Sequence, residues 1–147
     1  MSRLLSFLLR LGLGGVFVYA GAAKIFNPQL FAYEVDQYGL VPHAIINLVA
    51  LILPWVEFIC GIMVVLGVWL RASALLTGGM SGAFFLAVCS VLLRGLKIKC
   101  GCFGSVGQSF VGPSHLWLNG GCLLAAGWLV WHDRVARTPF PHKRRRI

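Results

Sequence analysis

The stretch AIINLVALILPWVEFICGIMVVL, residues 44–66, decides the fold. It carries one charge, Glu57, and one helix breaker, Pro54. At about 1.5 Å rise per residue it is long enough to cross the hydrocarbon of a bilayer, which takes about 20 apolar residues. Three further segments read the same way: 4–23, 72–93 and 116–131. The last is short for a span and is expected to borrow a turn from its flanks. The chain of 147 residues is 59% hydrophobic and 12% charged, against about a quarter charged in soluble domains. Folded in water it would expose large apolar patches, so the bilayer is the expected solvent. The fold class is therefore an all-α membrane protein, a four-helix bundle forming a single domain over residues 1–147. The N-terminal run also resembles a secretory signal, with Ala20-Gly21-Ala22 as a small-residue cleavage site. Arg10 interrupts the run, and we read it as a retained helix.

Charge sets the orientation. With four crossings, both termini share a side with Arg3, Arg10, Arg71, Arg134, Arg137 and the run Lys143–Arg146. The opposite side holds only Lys24, Arg94, Lys97 and Lys99. The positive-inside rule places the termini, including the basic tail 132–147, in the cytoplasm. The loops 24–43 and 94–115 then face the periplasm, with the cytoplasmic membrane as location. The first loop, with Phe31, Tyr33 and Tyr38, is expected to lie on the membrane surface. In so apolar a chain the formal charge of +9 gives no argument for nucleic acid, and the lipid bilayer is the expected partner. Gly12, Gly14, Gly15 and Gly21, the Gly78/Gly82 pair and the Gly121/Ala125 pair mark close helix contacts. They fit packing inside the bundle or an oligomer seam.

The chemistry concentrates in thiols. Cys100 and Cys102 lie in the second outer loop, with Cys89 and Cys122 in the flanking helices toward the same side, and Cys60 apart from them. A periplasmic face permits disulfides, which a cytosolic one does not. In Lys97-Ile-Lys99-Cys100-Gly101-Cys102-Phe-Gly104, a bridge across one glycine closes a tight, strained ring. Strained, exposed disulfides are the labile ones, and Lys97 and Lys99 favour the reactive thiolate. A redox-active pair exchanging with Cys89 or Cys122, a structural bridge, and a soft-metal site with His115 all remain open. Cys-x-Cys lacks the usual zinc-ligand spacing, so the preferred reading assigns no metal. A second constellation is intramembrane charge. Arg10 and Glu57, at similar depth counted from the cytoplasmic helix ends, are expected to form an ion pair. Lys24 either snorkels to the outer interface or faces a cavity near the thiols.

Several of these residues together resemble a known family. Arg10-x-Gly12 through Gly15-Val-Phe17 to Ala20-Gly21-x-x-Lys24, then Asn27-Pro28-x-x-Phe31 and Pro54-x-x-Glu57-x-x-x-Gly61, resemble the DoxX-like membrane proteins. Cys100-Gly-Cys-Phe-Gly104 is similar to the MauE-like branch. The resemblance, over about residues 10 to 131, implies a four-helix membrane bundle that works beside a thioredoxin-like protein in maturing a disulfide-rich periplasmic enzyme. It also implies a link to quinone chemistry. The function expected is thiol–disulfide exchange through Cys100 and Cys102, with Cys89 or Cys122 passing electrons inward and quinone as candidate acceptor. The alternative is a non-catalytic accessory subunit of a membrane complex held by a structural disulfide.

Overall fold

The computed structural model describes residues 2–96, 98 and 113–136, with the side chains of residues 2, 3, 113 and 132–136 left aside. These residues are all helical apart from short turns, in five elements. Helix α1 is Ser2–Phe26, α2 Pro28–Tyr38, α3 His43–Leu66, α4 Leu70–Leu93 and α5 Pro113–Ala136. Three are long and apolar enough to cross a membrane: Leu4–Phe26 of α1, and all of α3 and α4. Helix α5, expected to be short, has the same 24 residues as α3 and α4.

The element that hydropathy missed is α2. Pro28 opens it at the first turn, where a missing N–H costs nothing, and Gly39 closes it at φ 61°. It buries Phe31, Glu34 and Tyr38 and exposes Tyr33. The stretch expected as a surface-lying loop is thus an amphipathic helix packed on α3. Arg94 Nη1, at the end of α4, donates to the Tyr38 carbonyl at 3.2 Å and ties the two C-terminal ends together.

The long helices pack as two pairs, α1 with α3 and α4 with α5. Glycines allow the first pair to touch backbone to backbone. A Cβ on Gly61 would lie 2.8 Å from Val18 N and 2.9 Å from Gly14 O. One on Gly21 would lie 2.7 Å from Phe58 N and 2.8 Å from Pro54 O. Of the crowded glycines of α1, Gly14 and Gly21 make this seam, whereas Gly12 and Gly15 meet nothing. In the second pair Gly78 abuts Ala126 and Gly82 faces Leu123, while Gly121 meets no neighbour.

The pairs join through Leu13, Phe17, Val64, Leu70, Ala74, Cys122, Ala126 and Leu129. The outer surface is the more apolar one: Leu8, Leu51, Trp55, Leu76, Leu86 and Leu124 are exposed, while Lys24, Glu57, Ser73, Thr77 and Ser81 are buried. That inversion suits lipid as solvent. Ser73 and Thr77 satisfy their hydroxyls by donating to carbonyls one turn back in their own helix, at 3.0–3.3 Å.

A buried ion pair beside a thiol as candidate functional site

The seam between α1 and α3 fixes which charges meet. With Gly14 against Gly61 and Val65, and Gly21 against Pro54 and Phe58, Glu57 comes level with Ala20. Lys24 is one turn further along α1. Helical side chains lean toward the N-terminus, so its stem reaches back over that turn to the carboxylate. Lys24 Nζ lies 2.9 Å from Glu57 Oε1 and 2.8 Å from Oε2, with the two side chains 1% and 2% exposed. The ammonium also stands 4.8 Å from the Phe31 ring centre and 4.6 Å from that of Phe84. A hydrogen-bonded pair between two π faces is a strongly held charge.

This corrects the expected Arg10–Glu57 pair. In the same register Arg10 falls at the end of α3, where its guanidinium packs against Gly67, the left-handed residue that closes that helix. Helix α1 begins well beyond the end of α3, so equal counting from the two ends overestimated the depth of Arg10. Arg10 Nε is buried and has no hydrogen-bond partner among the described residues. Lys24 does not snorkel. It faces inward, the other arrangement its position allowed.

The pair borders a cavity of about 30 Å³ lined by side chains of α1, α3, α4 and α5. Lys24, Glu57, Asn119 and Cys122 are its polar lining residues, and Val16, Phe17, Ala20, Phe84 and Leu118 make the rest of a mostly apolar wall. Asn119 Nδ2 donates to the His115 carbonyl at 2.9 Å, which fixes the amide on α5. Phe31 and Phe84 also wall a larger apolar cavity of about 270 Å³, lined by residues of α2, α3 and α4.

Cys60, Cys89 and Cys122 are free thiols. Gly78 opposite Ala126 and Gly82 opposite Leu123 set the α4–α5 register, and they put Cys89 level with the start of α5. Cys122 lies about two turns, roughly 10 Å, further in. A disulfide needs Cα atoms within about 7 Å, so the two thiols do not form a pair with each other. Cys100, Cys102, Lys97 and Lys99 lie outside the described residues. Asn119, Phe31 and Phe84 are the site residues that sequence reasoning missed. The stripe Phe17–Gly21–Lys24 at helical spacing was the available signal for Lys24.

A model of the methylamine utilisation protein MauE family matches residues 2–132. The chain belongs to the MauE family. With its three long apolar helices it is a multi-pass membrane protein. No curated protein and no solved structure matches it.

Proposed function

We propose that this MauE-family chain is a membrane thiol–disulfide redox component of the cytoplasmic membrane. Its Cys100-Gly101-Cys102 loop exchanges electrons with a thioredoxin-like or client protein in the periplasm. The family's name ties it to methylamine utilisation, and maturation of a disulfide-rich periplasmic enzyme is the role that suits such chemistry. Helix α5 is the fourth crossing, both termini are cytoplasmic, and quinone is the candidate final acceptor.

One observation carries the reading. The Cys-Gly-Cys segment joins the end of α4 to the start of α5 in the sequence, the end of the bundle where Cys89 lies. The separation of Cys89 from Cys122 argues that each serves separately, Cys89 near the loop and Cys122 deeper. Thiol trapping tests this. In a relay, Cys102→Ser accumulates a mixed disulfide between Cys100 and a periplasmic protein and abolishes function in cells. In the accessory-subunit reading the same variant traps nothing and only loosens assembly. Stoichiometric copper or zinc in the purified protein would instead favour metal handling.

A further inference from the structure

The cavity that Lys24, Glu57, Asn119 and Cys122 help to line is mostly apolar in its walls and has room for a small guest. At about 30 Å³ it exceeds the roughly 10–15 Å³ that one water requires, and Lys24, Glu57, Asn119 and Cys122 on its lining carry the polar atoms that such a water would bond. Its position is as telling as its size. It lies where the two helix pairs meet, so Cys122, the one thiol on its wall among the described residues, borders the same space as a buried ammonium and a buried carboxylate.

A thiol reacts as its thiolate, and inside an apolar bundle that form needs both a proton acceptor and a nearby cation. We propose that this cavity is a one-water proton-transfer site that activates Cys122, with Lys24, Glu57 and Asn119 as its positioning residues. The Cys122 S–H gives its proton through the water to the Glu57 carboxylate. Lys24 then becomes the counter-ion of the Cys122 thiolate instead of the carboxylate. One anion replaces another beside one fixed cation, so no net charge appears in the low-dielectric interior. Asn119, held by its bond to the His115 carbonyl, orients the water between the two. Phe31 and Phe84 keep the ammonium in place throughout. What the thiolate attacks in the cell rests on the relay proposed above. Its activation does not.

The test uses the full chain in lipid nanodiscs with Cys60, Cys89, Cys100 and Cys102 replaced by serine. The probe is the small, uncharged methyl methanethiosulfonate. The thiolate attacks its sulfenyl sulfur, forms a new S–S bond and releases methanesulfinate. Lys24→Met is expected to slow modification of Cys122 about tenfold or more, since it removes the cation that the thiolate needs. Asn119→Leu, which fills the cavity and leaves the ion pair intact, is expected to do the same, whereas Asn119→Ser, which keeps a polar and roomy site, retains the parent rate. A parallel series keeping only Cys60, which does not line the cavity, reports any opening of the fold. If Lys24→Met speeds Cys60, the Asn119→Leu and Asn119→Ser comparison decides. Rates for Cys122 within twofold across all three variants would overturn the proposal, as would equal slowing by Leu and Ser at position 119. Neither Cys100, Cys102 nor any partner takes part, so this result and the trapping result stand or fall separately.

Discussion

Removing Lys24 alone should cost far more than removing Lys24 and Glu57 together. Glu57 receives two hydrogen bonds from Lys24, at 2.8 and 2.9 Å, and both side chains are at most 2% exposed. Lys24→Met therefore leaves a carboxylate buried without its cation, and breaking such a pair costs about 3–5 kcal/mol. Glu57→Met leaves the ammonium, among the described residues, with only the two rings, at 4.8 and 4.6 Å, and should cost a similar amount. Replacing both by methionine exchanges a desolvated pair for apolar volume, a change that is often neutral or stabilising. The coupling energy in the cycle should then be about 3 kcal/mol or more, well above the limit of about 0.5 kcal/mol for independent sites. Reversible unfolding of the protein in nanodiscs, followed by steric trapping, measures all four corners. Arg10→Met gives the internal control: packed at Gly67 and away from Glu57, it should add to Glu57→Met without coupling. Additive effects for Lys24 and Glu57, or coupling that appears with Arg10 instead, would refute the register on which the site is built.

Two other outcomes follow from the helix seams. Gly61→Ala should cost about 1–3 kcal/mol, because its new methyl group meets backbone atoms of α1 at 2.8 and 2.9 Å that cannot give way cheaply. Gly15→Ala, where a Cβ meets nothing within 4 Å, should gain about 0.5–1 kcal/mol from helix propensity, and thermal unfolding distinguishes the two. A variant keeping only Cys89 and Cys122 should form no intramolecular disulfide on treatment with copper phenanthroline, read by mass spectrometry. A bridge there would mean that α4 and α5 pack in another register.

The long helices were legible because a span crossing lipid must be uniformly apolar, and 44–66 leaves no other reading. Helix α2 was not, since its eleven residues mix Glu34, Asp36 and Gln37 with aromatics and fall below the length that hydropathy detects. The resemblance of the Cys100–Gly104 loop and the helix motifs to the MauE-like branch led to the family that the comparison shows. The ion pair shows where sequence alone stops. Arg10, Gly14, Phe17, Gly21 and Lys24 all fall on one stripe of α1, so periodicity offers two cations to Glu57 and cannot choose. The choice comes from register, set by glycine contacts that only the packed helices reveal. Asn119 and Cys122, two polar positions among the apolar residues of α5, gain meaning only when Lys24 is placed opposite them.

The central functional claim is that the Cys-Gly-Cys loop lies outside the cytoplasm, and labelling in intact cells tests it most directly. A variant keeping Cys102 as its one thiol should react with a membrane-impermeant maleimide in unbroken cells. A cysteine-free chain carrying Arg144→Cys should react only after the membrane is permeabilised. Cys102 protected until permeabilisation, or both positions labelled from the same side, would contradict the account.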